Sequence, residues 1–182
     1  MVAMTLLTGA FHEDGLADTA DGLGGGWTTA DKLRIMKDSR IGTYGGMALL
    51  LLVLLKYSAL LAMPAQWVGP TLVCAHVVAR WSVLPLLRWL PYVGGEKGSG
   101  VSIAGAADTA KVVTTTVFAA CVLGVLLPAG LLIAILLCLM ILCCSGWLYR
   151  RQLGGVTGDT LGATNQVVEV GIYLAVVASV PV

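Results

Sequence analysis

Charge is what this sequence has least of. Only 12% of its 182 residues are charged, well below the roughly one quarter usual in a soluble domain. The formal net charge is +1, so nothing in the whole-chain balance points to nucleic acid as a partner. None of the five cysteines (Cys74, Cys121, Cys138, Cys143, Cys144) belongs to a C-x-x-C pair, and all fall in apolar stretches. That pattern argues against a thiolate metal site or a disulfide framework and for small buried hydrophobes. Met1 to Phe11 is apolar but has no basic start and no small-residue cleavage site, which argues against reading it as a signal peptide. At about half the ~20 residues that cross a bilayer, it reads as the end of a transmembrane helix that begins before Met1.

What replaces charge is apolar length. Hydrophobic residues make up 58% of the chain, and the mean hydropathy is +0.90. Met47 to Met63 is one run, interrupted by Lys56, which either snorkels or faces the bundle interior. Pro64 to Pro70 is a charge-free turn with Trp67 as an interfacial anchor. Thr71 to Leu90 crosses back, with Arg80 one helical turn beyond His76 so that both point into the bundle. With no metal-ligand pattern nearby, His76 is read as structural. Val112 to Leu127 and Leu131 to Leu148 form a hairpin broken at Pro128-Ala129-Gly130, and Val167 to Val182 is the last span. The expected fold is all-α, a polytopic transmembrane helix bundle forming one integral-membrane domain over residues 1–182.

The scarce charges are not scattered. Lys32, Arg34, Lys37, Arg40, Arg88, Lys97, Lys111, Arg150 and Arg151 fall in or beside three alternate loops, and the turns between carry none. The positive-inside rule puts those loops in the cytoplasm. All ten acidic residues fall in or beside the same loops, so acidic and glycine-rich segments converge on one cytoplasmic membrane face. Such a face suits an interfacial enzyme better than a channel.

The densest of these segments is GAFHEDGLADTADGLGGG, Gly9 to Gly26. Asp14, Asp18 and Asp21 are four and three residues apart, hence on one face of a helix. Like charges at those spacings destabilise the helix. A solvated acidic face is one reading. The other is a site for a hard divalent cation, Mg²⁺ above all, which carboxylates bind together with substrate phosphates. Gly22, Gly24, Gly25 and Gly26 are expected to end this helix in a left-handed turn. A second helix follows from Ala30 to Ser39, with Thr28 or Thr29 as its N-cap. Its Lys32, Arg34 and Lys37, with Arg40 beyond, suit a phosphate-rich substrate. Asp159 lies in the last polar loop, GGVTGDTLGATNQ, which Arg150-Arg151 opens, and Glu169 starts the final helix.

HEDGLADTADGLGG, IMKDSRIGTYGGMALL and GGVTGDTLGAT closely resemble three segments of cobalamin synthase, the adenosylcobinamide-GDP ribazoletransferase family, in the family's order and spacing. The resemblance implies a multi-pass enzyme of the bacterial inner membrane that depends on Mg²⁺. Such enzymes join α-ribazole, or its 5′-phosphate, to adenosylcobinamide-GDP and release GMP, giving adenosylcobalamin or its phosphate. It implies that Asp14, Asp18 and Asp21 are the metal ligands and catalytic acids, and that Arg34, Lys37, Asp38 and Arg40 contact the diphosphate. Asp159 and Glu169 would hold a second metal or orient the incoming hydroxyl, and Asp159, Asp21 and His12 are the choices for a general base. Lipid surrounds the enzyme, no nucleic acid is involved, and self-association is open. Two departures stand out: Glu13 and Gln166 replace an apolar and an acidic residue of other members. The family also carries a further N-terminal segment. A second reading is a Mg²⁺-dependent phosphotransferase of the CDP-alcohol type, but its DG-x2-AR pattern is broken by Asp18. A third, a divalent-cation carrier, calls for acids near the bilayer midplane rather than at one face.

Overall fold

The structure, a computed structural model, describes residues 1–95, 107–127 and 130–179. Among them are eight α-helices and no β-strand: α1 (Val2–Thr8), α2 (Phe11–Gly25), α3 (Thr29–Ile35), α4 (Thr43–Ala62), α5 (Ala65–Trp89), α6 (Thr109–Leu126), α7 (Leu131–Leu153) and α8 (Gly158–Ser179). Helices α4 to α8 are each long and apolar enough to cross a membrane. The all-α polytopic bundle is therefore borne out. Glu96, Lys97 and the Pro128-Ala129 break lie outside the described residues, as do the last three residues of the final apolar run.

The bundle is built around α8, which is 78% buried along its apolar window, against 11% for α6 and 17% for α7. Val168, Ile172, Tyr173 and Val176 of α8 meet Cys74, Ala75 and Val78 of α5, with Ala119 and Leu123 of α6 closing the layer. Helices α2, α4, α5 and α7 all pack on α8. The outer helices leave large apolar side chains open, such as Leu51 and Leu54 on α4, Phe118 on α6 and Leu136 on α7. Lipid solvates such faces, whereas water would not. Cys74 and Cys138 are buried, Cys121, Cys143 and Cys144 are exposed, and all five are free.

Several boundaries differ from the sequence expectation, each for a physical reason. The apolar N-terminal run does not continue into the acidic helix, because Gly9 and Ala10 take left-handed backbone (φ 62° and 60°) between α1 and α2. Conversely, α2 ends with Gly26 extended rather than left-handed. Its glycines serve close packing instead: a Cβ at Gly24 would lie 2.6 Å from the Tyr44 ring. Helix α3 has the expected Thr28 cap, completed by Asp31 as a capping box, but stops at Ile35. Asp38 there folds back onto the Arg40 backbone and guanidinium, a local bond that competes with helix. The turn foreseen over Pro64 to Pro70 shrinks to Met63-Pro64, and α5 carries Pro70 and Pro85 within it. A proline in a helix forfeits its own N–H bond, a loss that neighbouring helices help offset in a membrane bundle. Arg150 and Arg151 sit in the last turn of α7, not in a loop.

The largest correction concerns the last polar stretch. It is not a loop up to Gln166; α8 begins at Gly158. Thr157 and Thr160 cap it reciprocally, the Thr157 hydroxyl accepting from the Thr160 N–H and the Thr160 hydroxyl from the Thr157 N–H. Asp159 consequently lies in the first turn of α8, and Glu169 in its middle, not at its start.

Candidate functional site

Helices α2 and α8 cross at glycines. A Cβ on Gly15 would lie 2.8 Å from the Asp159 carbonyl oxygen, and one on Gly162 would lie 3.4 Å from the His12 backbone. Without side chains at the crossing, the first turn of α8 lies directly against α2, and Asp159 joins the acids of α2. Asp18 reports the result: its carboxyl is pushed up to about 7, first by burial and then by the charges of Asp14, Asp159 and Asp21. Among the described residues, no Lys, Arg or His forms an ion pair with Asp14, Asp18 or Asp159.

Asp21 has a different task. Its carboxylate accepts the Gly42 N–H (2.7 Å) and the Gly45 N–H (2.9 Å), capping α4 from a neighbouring helix. These orphan donors of a helix N-terminus favour an anion. This is why α4 starts at Thr43, four residues before the apolar run. Asp21 thus ties the acidic helix to the first span, with both oxygens engaged.

The donors at this crossing are carboxylate oxygens, the chemistry that a hard divalent cation takes. Among the described residues no three His, Cys, Asp or Glu side chains stand at ligand spacing. Mg²⁺ is ordinarily held by one or two carboxylates together with substrate phosphates and water, not by a closed protein cage. An open set of mutually repelling carboxylates fits that manner of binding.

Of the predicted basic contacts, Lys37 is placed beside this set. It lines, with Asp159, Thr157 and Gly158, a cavity of about 120 Å³ whose walls include Phe11 and Tyr92. Tyr92 arrives by a short parallel bridge, in which the Val93 N–H donates to the Val156 carbonyl (2.8 Å) and the Val156 N–H to the Pro91 carbonyl (2.9 Å). Nothing in the sequence pattern pairs residues 91–93 with 156, so Tyr92 escaped the sequence reading. Arg34 is exposed, 3.7 Å from Asp31. Arg40 is exposed and forked onto Asp38 (2.7 and 3.0 Å), whose carboxyl it holds down at about 2.

Glu169 lies apart from these acids. Ten residues along α8 is about 15 Å of rise, and there its carboxylate meets the Lys56 ammonium at 2.9 Å and accepts the Tyr173 hydroxyl at 2.7 Å. Lys56 also donates to Gln166. His76 stands 4.0 Å from Glu169, and Arg80 donates to the His76 carbonyl at 3.3 Å. Lys56 therefore faces the interior rather than snorkelling, and His76 points into the bundle as expected. The spacing of Gln166, Glu169 and Tyr173, three then four, marks a polar helical stripe, hidden when the loop is taken to run through Gln166 and Glu169 to start the helix.

The fold and the site together define a polytopic helical membrane protein with an open carboxylate cluster, faced by a lysine, at one end of its spans. The family profile described as cobalamin-5-phosphate synthase matches residues 1–177. Proteins named adenosylcobinamide-GDP ribazoletransferase are close relatives. The one from Shewanella piezotolerans is 42% identical over 180 residues, covering 96% of this chain and 69% of its own. Those from Shewanella woodyi and Shewanella frigidimarina are each 43% identical, covering 96% and 98% of this chain and 69% and 70% of theirs. The chain belongs to the cobalamin-5-phosphate synthase family. No solved structure gives a significant match.

Proposed function

We propose that this chain joins α-ribazole, or its 5′-phosphate, to adenosylcobinamide-GDP, giving adenosylcobalamin, or its phosphate, and GMP. The observation that carries this reading is the convergence of Asp14, Asp18 and Asp159 across the α2–α8 crossing, within a chain of this family. In the reaction a ribose hydroxyl attacks the corrinoid-bearing phosphorus of the diphosphate. A new P–O bond forms, the bond from that phosphorus to the bridging oxygen breaks, GMP leaves with that oxygen, and the hydroxyl proton is released. One form of the nucleoside carries its phosphate at the 5′ position, so the attacking oxygen belongs to the ring diol.

The main demand of such a transfer is positioning and neutralisation of phosphate charge. Mg²⁺, when bound, supplies that neutralisation, and Asp14 and Asp18 are the residues that would hold it. Asp21 keeps the acidic helix registered against α4. Lys37 contacts diphosphate oxygens as a cation beside Asp159, with Arg34 and Arg40 at the outer surface steering the same charge. The Asp38 carboxylate holds Arg40 in its fork. Asp159 receives the hydroxyl proton, and Glu169 positions α8 through Lys56.

We place this face in the cytoplasm, at the inner membrane of a bacterium. Supporting this, the site-side helix ends carry Arg88, Lys111, Arg150 and Arg151, whereas the Met63-Pro64 turn carries no charge. The test is GMP release from adenosylcobinamide-GDP plus α-ribazole by the chain in membranes. Release that requires Mg²⁺, stops with EDTA and is lost in Asp18→Asn is expected. No release of GMP under any metal condition overturns the substrate assignment.

A further inference from the structure

The parallel bridge between Tyr92 and Val156 depends on glycine at position 155, where a Cβ would collide with the Pro91 carbonyl oxygen. The bridge sets Tyr92 beside the first turn of α8. Its phenol oxygen lies 2.5 Å from where a Cβ on Gly94 would stand, and 4.0 Å from where one on Gly158 would stand. The Lys37 ammonium lies 3.7 Å from the corresponding point on Gly95. Phenol and ammonium therefore come together over two successive glycines. Both residues line the cavity of about 120 Å³ that Asp159 shares.

Neither donor is engaged within the protein. Among the described residues the Tyr92 hydroxyl has no hydrogen-bond partner, and Lys37 forms no ion pair. A tyrosine just beyond a span can serve as an interfacial anchor. Such a ring faces lipid, as Trp89 does at 69% exposed. Tyr92 instead is half-buried, with its hydroxyl over Gly94 and near Gly158. A phenol in that setting ordinarily finds a partner for its O–H. The charged side chains on the cavity wall are Lys37 and Asp159. A lone anion meets the carboxylate and a lone cation meets the ammonium, so neither suits this wall. A reacting pair does: phosphoryl oxygens accept from Tyr92 and Lys37, and a hydroxyl gives its proton to Asp159.

We propose that the Tyr92 hydroxyl donates a hydrogen bond to a non-bridging oxygen of the adenosylcobinamide-GDP diphosphate, next to Lys37, and so holds the reacting phosphorus beside Asp159. The assignment rests on the reaction proposed above. It adds a substrate-binding residue that lies outside all three segments resembling the family. Tyr92 keeps its proton throughout, and what it supplies is position.

Tyr92→Phe removes the hydroxyl and keeps the ring. In the detergent-solubilised chain with Mg²⁺, it is expected to weaken equilibrium binding of adenosylcobinamide-GDP about 10-fold or more, the loss of one hydrogen bond to a charged oxygen. The kcat/KM for that substrate should fall at least as far. The KM for α-ribazole and the melting temperature should stay put, whereas a merely structural tyrosine would move both. Equal binding of adenosylcobinamide-GDP by the two proteins overturns the proposal, as does a loss matched in the α-ribazole KM and the melting temperature. A second measurement uses the unaltered chain. Nitration of Tyr92 by tetranitromethane, read by mass spectrometry, should slow when adenosylcobinamide-GDP is bound, while that of Tyr57, exposed on α4, does not. Unchanged nitration of Tyr92 overturns the proposal even where the variant fails to fold. GMP release by the wild type separates the two readings. Release with variant-insensitive binding removes the Tyr92 contact alone. Variant-sensitive binding without release removes the reaction and keeps the contact, and no binding by the wild type overturns both.

Discussion

Helix α8 carries two acids, Asp159 and Glu169, and the protein treats them in opposite ways. Glu169 is 5% exposed and has a full set of partners in Lys56 and Tyr173. Asp159 is set against Asp14 and Asp18 with no ion-pair partner among the described residues. A carboxylate buried in the spans must be compensated or the fold fails. Carboxylates that repel at a helix crossing lower stability, and their persistence is the mark of a site built for something that arrives later. The first acid is neutralised inside the bundle; the second is left open, as the proposed reaction requires.

The contrast can be broken hardest at Glu169. Lys56→Ala leaves that carboxylate buried and unpaired, for an expected loss of about 3–5 kcal/mol in unfolding free energy. Lys56→Met combined with Glu169→Leu should recover most of it, because the pair is then absent rather than split. If the single and double variants unfold alike in detergent, the pair is not what secures α4 to α8.

Asp18→Asn should do the reverse. We expect GMP release to fall about 100-fold or more, as when one group aimed at developing phosphate charge is removed, while thermal stability holds or rises as repulsion is relieved. A variant that loses stability along with activity would place Asp18 with Glu169 among the structural acids. Gly15→Ala acts on the geometry between the two groups. A Cβ there lies 2.8 Å from backbone of Asp159, so α2 and α8 must separate, at about 1–3 kcal/mol. Activity should drop beyond what the lost stability accounts for, measured as GMP release per folded protein.

A smaller effect is the pH dependence of the metal-free chain. Asp18 titrates at about 7 when folded and nearer 4 when unfolded, so the folded state keeps a proton that the unfolded state gives up. Stability from this group is present below about pH 4 and is lost as pH rises through about 7. Added Mg²⁺ should therefore raise the melting temperature above about pH 7 and have little effect near pH 4, and Asp18→Asn should abolish the difference. The smallest effect is expected at Arg40. It is exposed and paired with an exposed Asp38, so Arg40→Ala should leave stability unchanged and raise only the KM for adenosylcobinamide-GDP.

Much of this was legible in residue order. The spacing of Asp14, Asp18 and Asp21 predicts a shared helical face, and α2 forms over them. The apolar runs predict spans, and all five lie near where the runs fall. The places where order misled are those where a polar stretch is satisfied from elsewhere in the fold. GDTLGATNQ looks like a loop because its Thr, Asn and Gln are polar, yet the same residues are buried in α8, with Thr157 and Thr160 capping each other and Gln166 bonded to Lys56. For Asp21, which shares a face with Asp14 and Asp18, residue order does not show that backbone 21 and 24 residues away donates to both its oxygens.

Residue order alone determined that this chain is a helical membrane bundle, because apolar length and alternating charge follow from lipid as a solvent. It also determined which segments bear acids and bases, and to which family they belong. Only the tertiary structure decided how the acids divide. Whether a carboxylate meets an ammonium, a helix N-terminus or another carboxylate depends on which helices pack together, and the packed segments lie 21 to 24 residues apart for Asp21 and more than a hundred apart for Asp159 and Glu169.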